Sequence, residues 1–297
     1  MSTVMRPEVV QPESVTRRTT PRRQVKMAIG RVLLHSLVIA GALVLIIPFL
    51  WMVSTSLKSY NEVFESPIRW IPRVLQWANY PTALAQHPFG LFFMNSGIVA
   101  LAVTAANLLL CAMAGYGLSQ YTYKGREFLF VLILSTMMLP LEVVMVPLFL
   151  ITKQFNMLNS LSGLIVPMAV DPFGVFLMRQ FMFGIPSSLI EAARIDGAGE
   201  FHIFWRIVSP LTRPAMAALG IFTFRETWDA FIWPLIIITE EKLKTVPLGI
   251  AMFETSYVTN YHQLMAVATV AIVPMMALFF VMQRAFIRGM AMTGLKD

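Results

Sequence analysis

Residues 32–53 contain no Asp, Glu, Lys or Arg. At about 1.5 Å per residue in a helix, such a run crosses a hydrocarbon core of about 30 Å. Further apolar stretches follow at 91–118, 128–151, 163–183, 214–238 and 263–287. Charged residues make up 13% of the chain, about half the share usual in a soluble domain, and most fall between these stretches. A membrane barrel would show short alternating strands instead. The pattern predicts an all-α polytopic membrane protein with six transmembrane helices, TM1 to TM6 in the order given.

Residues 1–31 carry Arg6, Arg17, Arg18, Arg22, Arg23, Lys26 and Arg31. Pro7, Pro12 and Pro21 discourage a helix there, so the segment reads as a disordered basic tail. No small-x-small cleavage pattern closes 32–53, which therefore reads as a retained first helix and not a removed signal. The loop 54–90 holds Trp70, Trp77 and Tyr80, residues favoured at a membrane interface. Short polar loops follow at 119–127 and 152–162, then longer ones at 184–213 and 239–262, and a tail at 288–297. Pro140 and Pro147 interrupt the third span, with Glu142 between them. Asp171, Pro172, Phe173 and Gly174 break the fourth.

Of the 23 Lys and Arg, sixteen lie in or beside the N-terminal tail, the loops 119–127 and 184–213, and the C-terminus. The positive-inside bias places these segments, and both termini, in the cytoplasm. The same clustering explains the net charge of +7 without nucleic acid.

No phosphate-cradling G-x-x-x-x-G-K-[ST], zinc-binding H-E-x-x-H, paired C-x-x-C or nucleophile elbow G-x-S-x-G occurs. His35, His87, His202 and His262 lack metal-ligand spacing. The single cysteine, Cys111, excludes an internal disulfide and reads as a small packing residue. No enzymatic activity is therefore expected of this polypeptide. Energy for uphill transport would come from a partner or an ion gradient.

The most strongly punctuated stretch is 188–211, SLIEAARIDGAGEFHIFWRIVSPL. Ser188 and Glu191 have capping-box spacing. Gly197 suits the left-handed residue that ends many helices. A second helix is expected to start near Gly199, with Phe201, Phe204, Trp205 and Val208 on one stripe, and to stop or bend at Pro210. Two short helices at an angle result. Taken alone, Glu191 is a capping residue and Ala192 and Ala193 are good helix formers.

Glu191-Ala192-Ala193, Asp196-Gly197-Ala198 and the close Ile207-Val208-Ser209-Pro210-Leu211 resemble the EAA loop of bacterial ABC importer permeases. Met137 to Pro140, Phe173 to Phe181 and Trp228 to Pro234 also match the carbohydrate-type, MalG-like permeases. The likeness covers nearly all the chain after the basic tail. It implies the type I ABC importer permease fold, with residues 91–287 as its core, in the bacterial cytoplasmic (inner) membrane. The partners it implies are a second, MalF-like permease subunit, two ATPase subunits and an extracytoplasmic solute-binding protein. A sugar or polyol is the implied substrate. ATP and Mg would be bound by the partner ATPase, leaving no cofactor in this chain. Glu191, Ala192, Ala193, Asp196 and Gly197 would form the ATPase-coupling element, and the stripe from Phe201 to Val208 would pack back on the permease. Thr293, Gly294, Leu295 and Lys296 are similar to the family's glycine-containing tail; otherwise they are a frayed end.

Four residues are candidates for the translocation path: Asp171, Glu142, Trp228 and Asp229. For Asp171 and Glu142 the alternative is a helix break, with Asp171 capping the second half-helix. Arg225 and Asp229 stand i, i+4 and can pair within the fifth span. The family usually shows Trp-Asn here, where this chain has Trp228-Asp229. Other solutes, such as polyamine, phosphate or peptide, and a stand-alone secondary transporter are the competing functions.

Overall fold

The structure is a computed structural model that describes residues 21–254 and 260–294, with side chains over 29–254 and 260–283. The tail over 1–20 and the match at Thr293 to Lys296 lie outside the described side chains. By internal contacts the chain divides into Met1–Trp51 and Met52–Asp297.

The first unit is most of helix α1, Pro21–Ser56. The helix starts ten residues before the tail was expected to end, so residues 21–31 are helical. Proline is tolerated in the first turn, where its missing N–H has no partner to lose. Every side chain from 29 to 50 is exposed, as suits an apolar helix whose solvent is lipid.

The second unit continues with α2 (Tyr60–Val63), α3 (Asn79–Gln86), α4 (Phe89–Gln120), α5 (Arg126–Thr136), α6 (Leu141–Gln154), α7 (Leu161–Ile165) and α8 (Pro172–Met182). Then come α9 (Ser187–Ile195), α10 (Glu200–Ile203), a π-helical turn Phe204–Val208, α11 (Ser209–Leu211), α12 (Arg213–Trp228) and α13 (Ile232–Ile237). The unit ends with α14 (Val246–Ala251), α15 (Tyr261–Ala271) and α16 (Val273–Gly294). No strand element occurs among the described residues. Three stretches, Ile29–Ser56, Phe89–Gln120 and Tyr261–Gln283, are long and apolar enough to cross a membrane unaided, and by length and composition the number rises to at most six if each of three bent helix pairs counts as one span.

Several spans differ from the sequence expectation. The third breaks once, with α5 and α6 at 100°. Pro147 stays inside α6 and only Pro140, its N-cap, marks the interruption. The fifth does not run unbroken over 214–238, because α12 ends at Trp228 and α13 restarts at Ile232. The last helix continues to Gly294 in place of stopping at 287. The loop 54–90 has its own order. Lys58 is buried and donates to the Arg69 carbonyl at 2.6 Å, and Asn79 Nδ2 donates to the Ser56 and Lys58 carbonyls at 2.7 and 2.8 Å.

Helix α4 is the axis of the second unit. Its residues enter all three apolar clusters: Cys111 to Leu118 in one, Phe89 to Ala100 in the second, Val99 and Val103 in the third. Between membrane helices, close backbone approach and shared hydrogen bonds supply much of the adhesion. Both occur here. At Gly115 an added Cβ would lie 2.8 Å from Met178 Cβ and from the Arg179 backbone N, so α4 and α8 cross where no side chain intervenes. Asn95 Nδ2 donates to the Lys242 and Lys244 carbonyls at 2.9 and 3.0 Å, and Ser96 Oγ accepts from Val246 N at 2.9 Å. These bonds tie α4 to the segment before α14.

Candidate functional site

Within the 184–213 loop, α9 starts after Pro186, its N-cap, whose ψ is 128°. Ser188 therefore lies inside the first turn and caps nothing, so the expected capping box with Glu191 does not form. Proline starts the helix earlier than the serine would have. Ile190 and Ala193 are buried, while Glu191, Ala192 and Asp196 are exposed. The two alanines thus divide: Ala193 packs inward and Ala192 faces out beside Glu191.

Gly197 has φ +82°. Its N–H donates to Arg194 O at 3.0 Å, and Ala198 N donates to Ala193 O at 2.9 Å. This pair of bonds is the Schellman ending that requires a left-handed residue after the helix. It sets the angle between α9 and α10.

The expected inward stripe is only half right. Phe204 and Val208 are buried, but Phe201 is 76% and Trp205 51% exposed, and Ile203 is buried in their place. The buried face is centred on Ile203, Phe204 and Val208, so the expected stripe is out of phase: Phe201 in α10 and Trp205 in the π turn both fall on its outer side. Pro210 does not end the helix either. The sharp bend, 79° between Glu200–Leu211 and α12, comes at Thr212.

A residue not singled out from sequence holds the loop to α4. The Glu200 carboxylate accepts from Tyr116 Oη at 2.9 Å, from Arg194 Nε at 2.8 Å, and from Tyr121 Oη. The Arg194 guanidinium, then the Tyr121 and Tyr116 hydroxyls, hold this carboxyl down to about 2. Arg194 also lies over the Tyr121 ring, 5.6 Å from its centroid. The only local hint is the pair of opposite charges flanking Asp196-Gly197-Ala198.

The other candidates are dispersed. Asp171 is the N-cap of α8, its Oδ1 accepting from Phe173 N at 3.1 Å. Glu142 is exposed in the first turn of α6. Trp228 is buried, stacked on Phe224 with ring planes 13° apart and near Phe93. Asp229 is exposed and faces Arg225 Nε at 3.6 Å. No hydrogen bond or ion pair joins Glu142, Asp171 and Asp229 among the described residues. Nor does any group of three His, Cys, Asp or Glu there have the arrangement of a metal site.

Apolar helices packed round α4, half-helices bent at short breaks and an exposed two-helix elbow after α8 are the features of a transport permease. Residues 107–292 match the family described as binding-protein-dependent transport system inner membrane component, and the chain belongs to that family. It is 34% identical over 278 residues to the arabinooligosaccharides transport system permease protein AraQ of Bacillus subtilis (strain 168), covering 93% of this chain and 99% of that one. It is 34% identical over 265 residues to the sn-glycerol-3-phosphate transport system permease protein UgpE of Yersinia pestis bv. Antiqua (strain Antiqua), covering 86% of this chain and 94% of that one. Its fold matches a chain in the crystal structure of a bacterial ABC transporter involved in the import of the acidic polysaccharide alginate. There the TM-score is 0.77 with 21% identity, over 90% of this chain and 99% of the other. The resemblance read from the EAA loop is borne out, and with it an all-α ABC importer permease fold in the inner membrane.

Proposed function

We propose that this chain is one of two permease subunits of an ATP-driven importer for a sugar, oligosaccharide or polyol derivative. A MalF-like partner permease would complete the path, two ATPase subunits would dock below the pair, one of them on 184–213, and a solute-binding protein would deliver substrate from outside. Both termini and the docking loop face the cytoplasm in this reading, and ATP and Mg bind to the ATPases. The carbohydrate assignment is supported by the relatives named for arabinooligosaccharides and sn-glycerol-3-phosphate. The exposed Arg225 and Asp229 sit within the fifth span, where charge facing lipid is costly, so this face of α12 meets water or the partner permease. Asp229 and Glu142 are the path residues of this reading. Asp171 serves as a cap and Trp228 as packing against Phe224 and Phe93.

The observation that carries the proposal is the Gly197 elbow. Two short helices held at a fixed angle, with Glu191, Ala192 and Asp196 on the outer face, form a rigid part that a cleft in an ATPase can grip. ATP-driven closure of the ATPases then moves the elbow and opens the path outward. Hydrolysis resets it.

Proline cannot adopt φ +82°, so Gly197→Pro must dismantle the elbow. The expected result is loss of transport and of substrate-stimulated ATP hydrolysis in the assembled transporter. Wild-type coupling in this variant refutes the lever. Binding of a carbohydrate and polyol panel to the cognate solute-binding protein tests the substrate class.

A further inference from the structure

We propose that Glu200 is a positioning residue that clamps the docking elbow to α4, so that movement of the elbow is delivered to the axis of the permease core. The inference rests on the ATPase-docking role proposed above for 184–213. One carboxylate joins three parts of the chain. Arg194 belongs to α9, Glu200 opens α10, and Tyr116 and Tyr121 lie at the end of α4. The Arg194 bond spans the Gly197 turn and fixes the angle within the elbow. The two tyrosine bonds fix the elbow to α4.

The elbow also packs on the core through Ile190, Ala193, Ile203, Phe204 and Val208. Apolar contact of that kind is not directional and tolerates sliding. Beside Glu200 the packing is incomplete. A hollow of about 220 Å³ opens among Met113, Tyr116, Gly117, Tyr121, Phe201 and Glu200 itself. On this side, directional bonds to the carboxylate, together with the Tyr116–Phe204 ring contact at 5.5 Å, make the connection. Charge-assisted bonds from three donors hold one register where a half-filled apolar contact would not. Beyond the clamp, α4 crosses α8 at Gly115 and leads to the Asp171 cap, whose carbonyl accepts from Cys111 Sγ at 3.4 Å. Elbow, clamp, α4 and α8 therefore form a continuous train of contacts.

The test uses the whole transporter in lipid, with Mg-ATP as the probe and a Phe231→Cys reporter at the exposed break in the fifth span of this chain. Cys111 is fully buried, so maleimide labelling of this chain reads the reporter. In the reporter parent, the ATPase subunits co-purify and Mg-ATP alters the labelling rate. Glu200→Gln is expected to retain co-purification and basal ATP hydrolysis but to shrink the ATP-dependent change by roughly fivefold or more. Tyr116→Phe with Tyr121→Phe keeps both rings and the charge, and is expected to act in the same direction. If Glu200→Gln fails to assemble, this double variant decides. An undiminished ATP response in either assembled variant overturns the clamp and leaves the docking proposal standing. A parent that neither retains an ATPase nor responds to Mg-ATP overturns both.

Discussion

Arg179 Nη2 donates to both carboxylate oxygens of Glu127, at 2.7 and 2.8 Å, and so ties α8 to the first turn of α5. The two partners differ in solvation: the Arg179 side chain is 6% exposed and that of Glu127 62%. Arg179 also donates from Nε to the Leu118 carbonyl at 3.1 Å, and its guanidinium lies 3.7 Å from the centre of the Phe130 ring. Removing the two partners is therefore not equivalent. Glu127→Gln leaves a buried guanidinium without its counter-charge, and we expect it to be the more destabilising of the two changes. Arg179→Met preserves much of the buried stem and leaves Glu127 in water beside Arg126, so about 1 kcal/mol is expected. Denaturation of the purified protein in detergent measures both. Equal losses, or the reverse order, contradict this account.

Gly115 and Gly117 are neighbours on α4 with opposite surroundings. A Cβ at Gly115 meets the backbone and Cβ of α8 at 2.8 Å, whereas one at Gly117 meets nothing within 4 Å. Backbone cannot step aside as a flexible side chain can, so Gly115→Ala must force the helices apart. The expected loss is about 1–3 kcal/mol, the range for overpacking a well-packed site. Gly117→Ala is expected to be neutral, or to stabilise by up to about 1 kcal/mol through helix propensity. Thermal denaturation of the two variants side by side checks the contrast.

Local chemistry is the part of this architecture that could be read from residues alone. The charge-free run at 32–53, the Asp171-Pro172 restart and the Gly197 turn each depend on a few adjacent positions and a strong physical preference. What escaped depends on distant contacts or on which face the core covers. Glu200 meets Tyr116 and Tyr121 from 84 and 79 positions away, and Arg179 meets Glu127 from 52. Helical spacing fixes a stripe but not which neighbouring face the core covers, so Phe201 and Trp205 were assigned inward where Ile203 is buried instead. The capping box failed because two signals competed, and Pro186 started α9 before Ser188 could cap it. The fifth span breaks at 229–231 without a proline or glycine in the gap. Its signal was Pro234, three residues on, which lacks the N–H that a continuous helix would direct to the Ala230 carbonyl and is tolerated in the first turn of α13.

Asp171 separates a structural role from a transport role cleanly. Its Oδ1 accepts the Phe173 N–H while Pro172, in the first turn, has no N–H to satisfy. Asparagine offers the same acceptor without the charge. Asp171→Asn should therefore leave stability within about 0.5 kcal/mol, and Asp171→Ala should lose about 1 kcal/mol. If the carboxylate acts only as a cap, the Asn variant also transports at the wild-type rate. A transport defect in Asp171→Asn, with stability intact, would move this residue into the path.

The charge on Glu200 gives the elbow a definite acid limit. Its carboxyl is held down to about 2, against an ordinary value of 4.5. A carboxyl depressed by folding contributes stability that is fully present above the ordinary value and lost as pH falls through the folded one. The relevant window is therefore about pH 4.5 down to 2, and the clamp is insensitive to pH throughout the physiological range. The Glu200 side chain is 44% exposed, so solvent screens part of the effect. Other carboxylates titrate in the same window, and the useful quantity is the difference between wild type and Glu200→Gln. Backbone hydrogen exchange over 184–213, corrected for the intrinsic rate at each pH, should show greater protection in the wild type, constant from pH 7 to about 4.5. The difference should shrink below that and vanish near pH 2. A difference that already declines between pH 7 and 5 would overturn Glu200 as the group that governs the elbow.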